Sequence, residues 1–398
     1  MDRAQLIEDI QVHFPLYVVT FFLASCSILY ELIVAQTLSL LAANTVIWYS
    51  VTVGLFLLGM GLGSLLSKLL GTQGRTLKTL VTVEVLLSLV GLLMVPYLHV
   101  AHMLFSSFAA YNETLVGIAF FFIGGVSGAL VIGILTGIEL PLLIRIREEN
   151  AKLKRDGTHV VNGIDYVGSL LGAVAFPLVL VPHLDLMVIA ALVSSVNAII
   201  AIVLIAKFMH TRSSVLIQGV TSVTILIGAA AVITHVDRIE QYFLKKYYHY
   251  LEASDSFAAL FAPMPNYPTV YRHSSAYQKI DLVEDPSQST ADLIISAFSD
   301  KFEAKPDFPK KEFLFLNGDF QMTSSHEEIY HEYFAHVPIQ MHGSIPRKIL
   351  VLGGGDGILI RELIKYPEVS VRQIDLDPVL INLAKTDPIL TAINENSL

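Results

Sequence analysis

Seven apolar stretches fill the first 234 residues, near 15–41, 45–67, 79–101, 114–138, 160–181, 186–206 and 214–234. Each has about the 20 residues that an α-helix needs to cross a bilayer. Each is apolar over more than one helix face, and none alternates as a strand would. A helical multi-pass membrane bundle is therefore expected, and a wholly soluble chain is excluded. The first stretch has no basic lead and is followed at once by another, so it does not read as a cleaved signal.

Charge divides along the same line. Residues 1–234 hold 11 Lys and Arg with 12 Asp and Glu, whereas the shorter 235–398 holds 15 and 23. The second part approaches the charge density of a soluble domain, about one residue in four. We expect a transmembrane helical domain over 1–234 and a connector over 235–276. A β-hairpin part over 277–345 follows, with an insertion near 284–311 that contains one short helix (291–301). An α/β Rossmann-like part occupies 346–398. The connector, rich in Tyr and Phe, reads as a solvated exit from the membrane. A net charge of −9 argues against nucleic acid as a partner. The single cysteine, Cys26, excludes a disulfide framework and a cysteine-based zinc site.

Lys and Arg collect in the loops near 68–78, 145–159 and 207–213 and are absent from the alternate loops, which puts the N-terminus and these loops in the cytoplasm. Seven full crossings would then leave the polar half outside. Glu31, Glu84, Glu139 and Asp165 interrupt the apolar stretches and should face the bundle interior. They fit a transport path or buried packing groups equally. Gly59-x-Gly61-x-Gly63 and Gly168-x-x-x-Gly172 read as places where helices approach closely.

In the polar half, residues 277–283 alternate like a strand, and 312–316 is a second strand that Asn317-Gly318-Asp319 should turn back as a hairpin. Ser324 or Ser325 is expected to cap a helix over 326–337. A strand over 347–352 then ends in Gly353-Gly354-Gly355-Asp356-Gly357. A helix over 358–366 and a strand over 369–374 follow, ending in Asp375-Leu376-Asp377-Pro378 before a helix over 379–386. Glycines let the chain turn tightly and approach a ligand, and an acid ending the second strand can accept from ribose hydroxyls. This order predicts a nucleoside-bearing ligand. Asp356 inside the turn would repel a pyrophosphate. It suits a cationic group, which favours an S-adenosyl compound over a dinucleotide.

The ordered set Tyr277-Gln278, then 316–321 (LNGDFQ), 327–332 (EEIYHE), 353–357 (GGGDG) and 375–378 (DLDP) resembles the polyamine aminopropyltransferases, the spermidine synthase family. The apolar half is similar to the multi-span domain of its membrane-embedded bacterial members. The resemblance implies decarboxylated S-adenosylmethionine as co-substrate, with no other cofactor and no metal, and putrescine or a related diamine as acceptor. It implies donor contacts from Gln278, Gln321, His331, Gly353, Gly354, Gly355, Asp356 and Asp375, and an acceptor contact from Tyr330. Asp377, beside the ribose acid, is a weaker candidate. The family has an acid where His326 stands. Its proton-accepting Asp is expected beyond Leu398, so this chain alone is expected to be an inactive fragment, completed by a C-terminal chain or within a homo-oligomer. The expected location is the inner membrane with the polar half cytoplasmic. That placement requires either that 160–181 or 214–234 cross incompletely or that the loop-charge rule mislead. An S-adenosylmethionine methyltransferase, or a polyamine transporter or sensor with a binding-only soluble half, are the alternatives.

Overall fold

The computed structural model describes residues 3–42, 45–70, 75–110, 114–150, 158–208, 212–249, 261–284 and 312–398. The expected insertion near 284–311, with its helix over 291–301, lies outside the described residues except for Glu284. The chain forms two compact units: Met1–Phe243 with Leu251–Ala262, and Leu244–Tyr250 with Pro263–Leu398.

The first unit is helical. Its helices are α1 (Arg3–Ala42), α2 (Thr45–Leu70), α3 (Thr76–Ala110), α4 (Thr114–Asn150), α5 (Thr158–Ala175), α6 (Val181–His183), α7 (Leu186–Phe208) and α8 (Arg212–Thr234), with a π-helical turn Phe176–Leu180 joining α5 to α6. Among the described residues, seven segments are long and apolar enough to cross a membrane. In α1, α3, α4 and α7 more than half of the apolar window is buried, against 17–22% in α2, α5 and α8. The first four therefore make the inner bundle. The outer three leave Leu65, Leu170 and Ile217 exposed, an apolar surface unsuited to water. The stretches expected to cross incompletely are helical over 158–183 and 216–234, both at spanning length.

Small residues set the closest helix approaches. A Cβ on Gly63 would stand 2.0 Å from the Ile134 carbonyl oxygen, and one on Gly137 2.2 Å from that of Met60, so α2 and α4 touch backbone to backbone. Gly168 and Gly172 do the same for α5 on α1, against the carbonyls of Phe21 and Ser25. Gly61 has open space around it and takes no part.

The second unit begins inside α9 (Val236–His249). The expected solvated exit is corrected here. Leu244 is buried in a core with Val270 and Val283, with Tyr248, Phe313 and Phe315 packed against it. Four strands, β1 (Tyr271–Ser274), β2 (Lys279–Glu284), β3 (Glu312–Leu316) and β4 (Asp319–Thr323), form an antiparallel sheet in sequence order. Asn317 and Gly318, at φ 52° and 82°, make the two-residue turn between β3 and β4, where both central residues need positive φ. Helix α10 (Glu328–His342) follows. The expected serine cap is absent: Ser324 Oγ accepts the Glu312 backbone N–H at 3.0 Å and ties the turn to β3, and the N-cap residue is Glu327, with no side-chain cap bond.

Strands β5 (Lys348–Leu352) and β6 (Ser370–Ile374) pair in parallel, joined by α11 (Ile358–Leu363), and α12 (Pro378–Thr386) and α13 (Pro388–Ile393) complete the described chain. Helix α11 is shorter than expected and stops at Leu363. One core joins both sheet regions: Ile280 and Leu282 of β2, Leu314 of β3 and Met322 of β4 pack with Ile358, Leu380, Leu383, Leu390 and Ile393. The antiparallel hairpins and the β5–α11–β6 unit therefore fold as one body.

Candidate active site

The turn after β5 is built by conformation. Gly353, Gly354 and Gly357 have φ of 89°, 66° and 81°, values that side-chain-bearing residues adopt at a cost. Gly355 is required for a different reason. A Cβ there would lie 2.9 Å from Asp375 Oδ2 and 3.1 Å from Leu380 Cδ2. That contact is the centre of the site: the Gly355 N–H donates to Asp375 Oδ2 at 2.9 Å, and the Asp377 N–H donates to Asp375 Oδ1 at 2.8 Å. The Asp375 side chain is half-buried and held by backbone alone, with lone pairs left on both oxygens for further donors.

Asp356 is half-buried in the same turn, and its Oδ1 accepts the Ile358 N–H at 2.9 Å. His331 of α10 lies within electrostatic range of this carboxylate. It is buried, with Nδ1 2.9 Å from the Glu327 carbonyl oxygen and 3.3 Å from Glu327 Oε2. Burial by itself would lower the His331 pKa. The hydrogen bond with the Glu327 side chain and the charge of Asp356 outweigh it, and the imidazole is held above its ordinary value. The turn's own carbonyls are also engaged: Asn394 Nδ2 donates to Asp356 O at 2.9 Å, and Ser397 Oγ to Gly357 O at 2.7 Å.

The structure thus gathers Gly353, Gly354, Gly355, Asp356 and Asp375 with His331 near by. Gln278 joins them indirectly, because its Nε2 donates to Asp377 Oδ2 at 2.8 Å. Gln321 and Tyr330 form no hydrogen bond to this group. Gln321 is exposed, and its Nε2 reaches the Asp319 carbonyl at 3.3 Å. Tyr330 is 62% exposed and stacks on Phe334, with ring centroids 5.5 Å apart at 11°.

Sequence reasoning missed the frame behind these residues. Arg361 is buried between Glu327 at 2.8 Å and Glu362 at 2.9 Å, and its Nη1 donates to Ile393 O at 2.7 Å. Burial would raise the carboxyl pKa values of Glu327 and Glu362. For Glu327, His331 and Arg361 hold it below the usual range, and for Glu362, Lys365 and Arg361 do so. The signal was present: Arg361-Glu362 interrupts an otherwise apolar run from Ile358 to Ile364. A second buried anchor, Asp281 of β2, accepts a two-pronged contact from Arg272 at 2.7 and 2.6 Å and the Tyr248 hydroxyl at 2.6 Å.

Residues 327–392, which carry His331, the glycine turn and Asp375, match the family model of the spermine/spermidine synthase domain. The chain is a relative of the polyamine aminopropyltransferases. It is 29% identical to the polyamine aminopropyltransferase of Leptospira interrogans over 96% of its own length and 66% of that protein's. It is 30% identical to polyamine aminopropyltransferase 1 of Streptomyces coelicolor over 97% of its length and 64% of that protein's. With polyamine aminopropyltransferase 2 of Aquifex aeolicus it shares 29% identity over 95% and 64%. The chain therefore spans just under two thirds of these relatives, and the similarity includes its apolar half. No solved structure matches the chain.

Proposed function

We propose that this protein transfers an aminopropyl group from decarboxylated S-adenosylmethionine to a diamine, putrescine giving spermidine, with its polar half carried on a membrane-spanning bundle. The observation that carries this reading is Asp356 inside a turn of positive-φ glycines, next to Asp375 held by the Gly355 N–H. A carboxylate in that turn disfavours a phosphate and favours a cation. The matching domain model and the similarity to named aminopropyltransferases support the same assignment.

In this reading Asp375 takes the ribose hydroxyls, and Asp356 faces the cationic end of the donor. Gln278, Gln321 and His331 contact the donor, and Tyr330 lines the path of the acceptor. The amine nitrogen attacks the carbon beside the sulfonium. The C–S bond breaks, sulfur leaves as a neutral thioether, and the new ammonium gives up a proton. The leaving group is already activated by its positive charge, so no metal or further cofactor is needed. The protein contributes alignment and desolvation of the amine. A carboxylate can take that proton.

The seven long apolar helices support insertion in the inner membrane, and a donor made in the cytosol supports a cytoplasmic polar half. Two experiments test the reading. The protein as cells make it, purified in detergent, should form spermidine from putrescine and the decarboxylated donor. Methyl transfer from S-adenosylmethionine without aminopropyl transfer would overturn it. An enzyme reporter fused after residue 240 should be active in the cytoplasm, and activity confined to the periplasm would overturn the placement.

A further inference from the structure

The inner bundle carries a polar layer that aminopropyl transfer does not use. Ser27 Oγ of α1 donates to Glu139 Oε2 of α4 at 2.9 Å. The side chains of Glu139 and Glu84, the latter on α3, are within hydrogen-bonding reach of each other. One turn further along the same helices, Tyr30 of α1 donates to Ser194 Oγ of α7 at 3.3 Å, and Ser88 of α3 donates to the Ser194 carbonyl at 2.6 Å. Third and sixth spans run in opposite directions. Stepping from Ser88 back to Glu84 is therefore stepping from Ser194 on to Asn197, on the face that already meets α3. Asn197 is 1% exposed and its Oδ1 has no hydrogen-bond partner.

The pattern of donors makes the layer informative. Both Glu84 oxygens and Glu139 Oε1 are buried without a donor, as is Thr136 Oγ1 one turn from Glu139. Two carboxylates in contact are two acceptors, and they repel strongly where the dielectric is low. No Lys, Arg or His among the described residues is paired with either. The titratable groups that face the pair are Cys26 and Tyr30 of α1 and Asp165 of α5, all acidic. Glu31 lies one turn from Ser27 on α1. From α7 and α8 only neutral groups such as Ser194, Asn197 and Gln218 enter the apolar interior. A layer of acceptors with this excess of negative potential calls for a positive ligand. A hydrogen bond between two carboxyl groups needs one proton, which makes one of them the donor.

We infer that Glu84 and Glu139 form a proton-binding site inside the bundle, one exchangeable proton shared between the two carboxyl groups, with Ser27 and Asn197 completing the polar shell. This goes beyond the transfer reaction and assigns a ligand to the apolar half.

The test is reaction of the intact chain, in detergent micelles, with dicyclohexylcarbodiimide, an apolar reagent that attacks protonated carboxyl groups, read by peptide mass spectrometry. Label should appear on Glu84 or Glu139 and fall about tenfold per pH unit once the shared proton is lost on the alkaline side, as a single titrating proton requires. In E84Q and in E139Q the remaining acid no longer has a carboxylate beside it and holds its proton less tightly, so its label should be lost at lower pH than in the wild-type chain. Label on neither residue, label independent of pH, or a pH profile of the remaining acid unchanged from wild type in both variants would overturn the inference. So would protection by putrescine at constant pH, which would put an amine in the site. Should the variants fail to fold, the mapped pH profile of the wild-type chain decides alone.

Discussion

Gln278 Nε2 donates to Asp377 Oδ2 at 2.8 Å, and the same oxygen accepts from Ser275 Oγ at 2.8 Å. Asp377 Oδ1 meanwhile accepts the Val379 N–H and caps α12. One buried carboxylate thus pins the turn between β1 and β2 to the helix that follows the ribose-side acid. Replacing Asp377 by Ala removes a helix cap and orphans two donors. The cap is worth about 1–2 kcal/mol and the two orphaned donors together about as much again, so the second unit should lose roughly 2–4 kcal/mol. Asp377→Asn retains the cap and should cost less. Thermal resistance of the 327–398 region to proteolysis, compared across wild type, D377N and D377A, measures this. Equal midpoints for all three would show that the contact contributes nothing.

Gly355 is the position where a single methyl group should separate fold from binding. The added Cβ of Gly355→Ala meets Asp375 Oδ2 at 2.9 Å. Asp375 must move, and the fit between turn and carboxylate is lost at a cost of about 1–3 kcal/mol. Calorimetric titration with the decarboxylated donor should show affinity reduced about tenfold or more, and Asp375→Asn should fall in the same range because a charge-assisted contact is weakened. Unchanged donor affinity in both variants would remove Asp375 from the site.

These two positions also show what could be read in advance. Strands, turn and acid from Arg347 to Pro378 were legible because glycine and aspartate spacing is local, and the Asn317-Gly318 turn for the same reason. The partner of Gln278 was not legible, since it lies 99 residues away and a glutamine carries no record of what it will meet. Helix α9 was misread because its tyrosines suit an interface and a core equally; only the arrival of Val270, Val283, Phe313 and Phe315 decides between them. Strand β1, four residues long, has too little pattern to announce itself and exists because β2 pairs with it. In the bundle, the small-residue spacing identified Gly63 and Gly168 correctly but could not tell them from Gly61, which faces open space.

Glu327 and His331 set a pH window for the second unit. His331 and Arg361 hold Glu327 below its ordinary value of 4.5 against burial, so its contribution is complete above that value and is lost as pH falls through the depressed one. The contact with Glu327 and the charge of Asp356 hold His331 above its ordinary value of 6.5 against burial. Its contribution is complete below 6.5 and is lost as pH rises through the raised value. Their joint contribution is therefore largest between pH 4.5 and 6.5. His331→Gln should flatten the alkaline side of the stability profile and weaken the acid side without abolishing it, because Arg361 still holds Glu327. A variant profile that parallels wild type on the alkaline side would mean that His331 does not titrate in this range.

Arg361 is the residue on which the frame behind the site depends most. Its guanidinium is 5% exposed and meets Glu327 and Glu362 at 2.8 and 2.9 Å, while Nη1 also satisfies the Ile393 carbonyl. Glu362 keeps Lys365 and His336 if the arginine is removed, but Glu327 keeps only His331. Arg361→Met fills much of the volume and leaves that charge under-compensated. Breaking a buried pair from one side costs about 3–5 kcal/mol, which here should exceed the loss from D377A. A double change, Arg361→Met with Glu327→Gln, removes the unpaired charge together with its partner and should recover a large part of the loss. Protease resistance of the 327–398 region reads both variants. A double variant no more stable than R361M would show that Arg361 acts through the Ile393 carbonyl and packing, not through Glu327.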